Sequence, residues 1–175
     1  MKSRVKVFLE ESAFLGMVLA AIEVFDSETY GILIGTRRKE KIWVRQAVCY
    51  QASRRKKREV TICHKRDAMV VRSIYGVSSY HYVGDFHSHP YGTDYLSEYD
   101  KKSMQEYGDN LSILVAVEPA KERQQWEYKK GVLKGSVGDE FVVTLKAFVY
   151  DHTERGVRQV PIHCLYVERL RKRQR

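Results

Sequence analysis

Two stretches of this 175-residue chain are almost free of polar side chains: "YGILIG" at 30–35 and "LSILVAV" at 111–117. A strand with one face in water alternates apolar and polar residues, whereas a strand covered on both faces is apolar throughout. Two such strands require a sheet with a packed layer on each side. Around them, helical and strand patterns alternate early and strand patterns dominate late. The pattern predicts a three-layer α/β or α+β domain built on one mixed sheet, and the length suffices for one sizeable core.

The other elements fall around these two. "VKVFL" (5–9) reads as a short strand. Ser12 is placed to N-cap a helix whose apolar stripe would be Leu15, Val18, Leu19, Ile22 and Phe25, ending at "DSE" (26–28). "IWVRQAVCY" (42–50) and "EVTIC" (59–63) read as strands, 65–75 as a helix, and "YHYVGDFHSH" (80–89) as a further strand. Residues 97–107 look helical, and 126–135 with 140–150 read as an antiparallel pair turning around Gly135 and Gly138. "LYVERLRKRQR" is weakly helical.

Charge and cysteine content narrow the setting. The net charge of +9 resides in two runs, Arg54, Arg55, Lys56, Lys57 and Arg58, and Arg169, Arg171, Lys172, Arg173 and Arg175; without those ten cations the remainder carries −1. Each run suits nucleic acid, an acidic protein or an anionic membrane surface, but a solvated loop and a mobile tail are the preferred reading. Cys49, Cys63 and Cys164 are odd in number with no C-x-x-C pair, which argues for partly buried thiols in a reducing compartment. Lys2, Arg4 and Lys6 resemble the start of a signal peptide, but Glu10 and Glu11 interrupt any apolar region behind them, and no apolar run is long enough to span a bilayer. The expected location is the cytoplasm.

The chemistry is concentrated in "GDFHSHPYGTDYLSEYD" (84–100). On a strand, His87 and His89 point to the same face and Ser88 to the other. A helix starting near Ser97 places Asp100 one turn along, beside the serine. Two imidazole nitrogens and one carboxylate suit Zn²⁺ with an open fourth position. An N-capping box alone would also explain Ser97 and Asp100. The joint pattern H-x-H-x₇-S-x-x-D, however, arises by chance in roughly one such chain in a couple of thousand. A hydrolytic site needs a base as well, and Glu28 before "YGILIG" and Glu23 on the preceding helix are both candidates.

"ETYGILIG" followed downstream by "HSHP" and Ser97-x-x-Asp100 resembles the signature of the JAMM (JAB/MPN-plus) metalloproteases. That resemblance covers about residues 4–150. It implies a single MPN/JAB domain over 1–150, with the cytidine-deaminase-like three-layer arrangement, and a basic C-terminal extension over 151–175. It implies that His87, His89 and Asp100 bind one zinc, that Glu28 is the general base, and that Ser97 donates a hydrogen bond to the developing oxyanion. The substrate it implies is the bond after the C-terminal Gly-Gly of a ubiquitin-like or sulfur-carrier protein, in a pathway with activating and conjugating enzymes.

Only about ten residues separate Asp100 from the strand at 111, so selectivity for one ubiquitin-chain linkage is not implied. The compact form resembles the prokaryotic members. The rival reading is a DNA-associated protein similar to the RadC-like family, but Ser88 replaces that family's usual asparagine, and Glu28 is present. A nucleobase deaminase lacks support because H-x-E with P-C-x-x-C is absent. His64, His152 and His163 read as surface or structural residues. His81 shares the strand parity of His87 and His89, which would put it near the site.

Overall fold

The computed structural model describes residues 5–50, 54–56, 59–61, 64–108 and 111–173. In chain order its elements are β1 (Lys6–Leu9), α1 (Glu11–Glu23), β2 (Tyr30–Arg38), β3 (Lys41–Cys49), β4 (Arg54–Lys56), β5 (Glu59–Thr61), α2 (His64–Val77) and β6 (His81–Pro90). They continue with α3 (Glu98–Tyr107), β7 (Leu111–Pro119), β8 (Glu127–Lys129), β9 (Val132–Val137), β10 (Phe141–Asp151), β11 (Gly156–Val160), β12 (Ile162–Cys164) and α4 (Leu165–Arg173). One mixed sheet runs β12-β1-β3-β2-β6-β7-β10-β9-β8, with β11 paired to β10. β1 is parallel to both neighbours and β6 is parallel to β7, while β2 is antiparallel to β3 and β6.

The two apolar runs are strands buried on both faces. Leu33 of β2 and Ile113, Val115 and Val117 of β7 join the main core, where Phe14, Met17 and Val18 of α1 and Val167 of α4 also pack. On the opposite face, Ile32 and Ile34 pack with Ile74 of α2, and Leu114 packs with Leu96 and with Met104 of α3. The result is three layers, as the composition of those strands requires. Among the described residues no helix is long and apolar enough to cross a membrane.

Several local readings shift. The buried face of α1 is Ala13, Phe14, Met17, Val18, Ala20 and Ala21, while Leu19 is exposed. Gly16 explains the rotation: a Cβ there would lie 3.2 Å from the Ala47 carbonyl oxygen, so the small-residue face sits closest to β3. Ser12 is not the cap; Glu10 holds that position, and the Ser12 hydroxyl donates to the Arg45 carbonyl at 2.5 Å. The first basic run contributes a strand, since β4 pairs with β5 in a separate two-stranded ladder. "WEYKKGVLKG" contains a hairpin of its own, β8–β9, turning at Lys130 and Gly131, both with positive φ; Gly138, at φ 61°, makes the turn into β10. Neither Cys49 nor Cys164 forms a disulfide, and Cys63 lies outside the described residues.

The stretch read as an extension, 151–175, contributes β11 and β12 to the sheet, and Val167 of α4 is fully buried. The placing of His81 near the site is corrected. The β2–β6 register slips between Leu33 and Ile34, so that Tyr82 faces Ile34 and shares the α2-side cluster. That bulge breaks the parity linking His81 to His87. His81 is exposed and stacks on Tyr75 instead.

Candidate metal centre

The centre lies where β6 leaves the sheet, on the face that α2 and α3 also cover. β6 is extended, so His87 and His89 project together, with ring centroids 4.9 Å apart. Both imidazoles are buried, at 7% exposure each. β6 is held on one side by β2, where Tyr30 pairs with His87, and on the other by β7, where Leu114 does.

Asp100 arrives from α3. Its helix begins at Ser97, which is the N-cap of a complete capping box: Ser97 Oγ accepts from the Asp100 N–H at 3.1 Å, and Asp100 Oδ2 accepts from the Ser97 N–H at 2.8 Å. The Ser97 hydroxyl also donates to Oδ2, at 2.6 Å. Met104 and Leu96 anchor this helix on Leu114. Lys146 secures the loop before it by pairing with Asp94 at 2.7 Å. At the start of that loop Gly92 takes φ 76° and its N–H bonds the Val117 carbonyl; a Cβ there would also press on the Glu118 carboxylate.

The donor atoms converge. His87 Nε2 is 3.6 Å and His89 Nε2 3.8 Å from Asp100 Oδ2, and all three residues offer ligand atoms within 4.8 Å of one another. At 3.6 Å the His87–Asp100 approach is an ion-pair distance, too long for a hydrogen bond, and both His87 Nε2 and His89 Nδ1 are buried without a hydrogen-bond partner. Such orphaned nitrogens are costly in an apolar surrounding. With two imidazoles and one carboxylate aimed at a common point, the residues fit a divalent zinc.

Of the two candidate bases, the structure brings one to the centre. Glu28 Oε1 stands 3.9 Å from His89 Nε2 with its side chain 14% exposed, whereas Glu23 is exposed at the end of α1. Glu28 is delivered by the turn between α1 and β2, just before the first residue of the β2–β6 ladder.

Electrostatics separate the two histidines. Burial works against charge on His87, but Asp100, Asp85 and Glu28 outweigh it and raise its pKa. Burial, with His87 beside it, pushes His89 down to about 4. Burial would raise the Asp100 carboxyl, yet His87 and the Ser97 hydrogen bonds hold it well below the usual carboxylate range. Two polar contacts escaped the sequence reading. Ser112 Oγ donates to Asp85 at 2.7 Å behind His87, and Ser88 Oγ accepts from the Thr29 N–H at 2.9 Å. The only signal for either was a polar residue at a buried strand position, and its partner depends on strand register.

Comparison with known proteins bears on the family and the fold. A family model described as prokaryotic homologs of the JAB domain matches residues 10–129. No curated protein matches the chain. The solution structure of protein DSY2949 from Desulfitobacterium hafniense superposes with a TM-score of 0.60 over 90% of this chain and 92% of that one, at 16% identity, a likeness of fold.

Proposed function

Since the chain belongs to the prokaryotic homologs of the JAB domain, we propose that it is a zinc-dependent peptidase acting in the cytoplasm. Its substrate is the peptide or isopeptide bond after the C-terminal Gly-Gly of a ubiquitin-like or sulfur-carrier protein. The observation that carries this reading is the approach of a carboxylate outside the ligand triad, Glu28, to within 3.9 Å of His89 Nε2, one member of that triad. A structural metal site has no use for that extra base; a hydrolytic one requires it.

His87, His89 and Asp100 are the residues that would hold the metal. Zinc bound there supplies Lewis acidity, polarising the scissile carbonyl and lowering the pKa of water towards ~7. Glu28 takes the proton of the attacking water and returns it to the leaving amine as the C–N bond breaks. Ser97 supplies the donor for the carbonyl oxygen. Its hydroxyl now points at Asp100 Oδ2, so it must turn towards the substrate; the Ser97 N–H stays on Asp100 through the turn. The surface beside the site suits a protein substrate, because Tyr91, Tyr95 and Tyr99 are exposed around the loop and helix that carry Ser97. Enzymes that activate and conjugate such a ubiquitin-like protein are the expected partners.

The test is incubation of the zinc-loaded protein with a ubiquitin-like protein fused through Gly-Gly to a reporter. Cleavage after the second glycine, abolished by a chelator and by Glu28→Ala, is the expected result. Cleavage that survives either treatment refutes the mechanism.

A further inference from the structure

The polar contact between Thr29 and Ser88 joins the segment bearing the base to the strand bearing two ligands. Ser88 lies between His87 and His89 but on the opposite face of β6, 1% exposed, and Thr29 is completely buried. The pairing of Tyr30 with His87 places Thr29 opposite Ser88 as the next rung. In a regular hydrogen-bonded rung of an antiparallel pair the two residues would exchange backbone N–H···O=C bonds, the alternate rungs exchanging none. Here only one is backbone to backbone, from the Ser88 N–H to the Thr29 carbonyl at 2.9 Å. The Thr29 N–H goes instead to Ser88 Oγ, also at 2.9 Å. A side chain thus replaces the Ser88 carbonyl as acceptor. On its other side Thr29 is fixed by Oγ1, 3.2 Å from Cys49 Sγ on β3.

We propose that Ser88 is a positioning residue for Glu28: by taking the Thr29 N–H on its side chain, it ends the ladder early and turns the chain so that Glu28 meets His89 instead of continuing along the sheet. This inference rests on the peptidase reading above. Without Oγ, the Thr29 N–H either moves to the Ser88 carbonyl, completing a regular rung, or loses its partner. Each outcome carries Glu28 away from His89, while the ligands on β6 and α3 keep their places.

The test uses the full chain with Ser88→Ala, Ser88→Thr and, as a control of matched destabilisation, Val143→Ala in the buried part of β10. Selective carbon-13 labelling follows the Glu28 carboxyl resonance as zinc is added. The zinc-induced shift is expected to be at least halved in Ser88→Ala and retained in wild type, Ser88→Thr and Val143→Ala, with one zinc bound per chain throughout. On a Gly-Gly fusion, kcat should fall roughly 10- to 100-fold in Ser88→Ala with KM nearly unchanged, and recover in Ser88→Thr. If Ser88→Ala does not fold, Ser88→Cys keeps the volume with a weak acceptor and must show the same loss. A Glu28 shift that persists without the hydroxyl overturns the proposal. A wild-type protein that shows the shift and its dependence on Ser88 but cleaves nothing overturns the peptidase reading alone.

Discussion

Gly31, the second residue of β2 and buried there, allows a numerical test of how that strand is seated. A Cβ at this position would lie 2.4 Å from the Val48 carbonyl oxygen and 2.3 Å from Phe86 Cε1. Contacts under 3.0 Å force something to shift, so an alanine needs about 0.6 Å of movement from the β3 main chain and slightly more from the ring. The ring can rotate, but the carbonyl belongs to a strand paired with β2. Overpacking of this kind costs about 3 kcal/mol. Against it stands the reduced freedom of the unfolded chain, worth at most ~1 kcal/mol. The clash wins, leaving a net loss of roughly 2 kcal/mol, or about 4–8 °C in Tm for a chain of this size. Gly76, in α2, has nothing within 4 Å of its would-be Cβ, so Gly76→Ala should leave Tm unchanged or raise it. Thermal melts in a chelator decide the matter. A Gly31→Ala protein at least as stable as wild type, or one matching Gly76→Ala in sign, refutes the packing argument.

Zinc at 100 times its Kd should raise the stability of the folded chain by about 2.7 kcal/mol, read as a Tm increment that His89→Ala abolishes. Zinc affinity should fall with acidity with a slope of one proton per metal between about pH 5 and 6.5. In that window His87, its pKa raised above the ordinary value, already holds a proton that the metal must displace, while His89 at about 4 stays neutral and Asp100 stays ionised. Calorimetry across that range giving a slope of two would mean that the histidines titrate together. Ser97→Ala removes a helix cap worth ~1 kcal/mol but also the oxyanion donor, so peptidase kcat should drop on the order of 100-fold while Tm moves only a few degrees. Equal proportional losses with Ser97→Thr, which keeps the hydroxyl, would count against that role.

The layering and the ligand triad were legible because each rests on short-range regularity. An all-apolar strand states that both its faces are covered, and H-x-H on a strand states that two imidazoles share a side. What stayed hidden depended on contacts between distant segments. The apolar residues of α1 surround the helix, and only the close approach at Gly16 and Ala47 decides that Leu19 faces outward. His81 was misplaced because one extra residue in β6 reverses parity, and a bulge is invisible without the partner strand. Choosing Glu28 over Glu23 on residue chemistry alone was likewise impossible, since the turn after α1 sets which carboxylate meets β6. The tie between Thr29 and Ser88 spans 59 positions and leaves no local trace.

The pairing of β1 with β12 has a consequence for how the protein is made. The candidate metal site draws on residues 28 to 100, and the strands that flank it, β2 and β7, are complete by residue 119. The strand nearest the N-terminus must wait longer, because its outer neighbour is residues 162–164. During synthesis the emerging chain therefore possesses every candidate ligand and the ladder that holds them before β1 gains its outer neighbour. A metal bound at that stage would stabilise the sheet while β1 is still unpaired on one side.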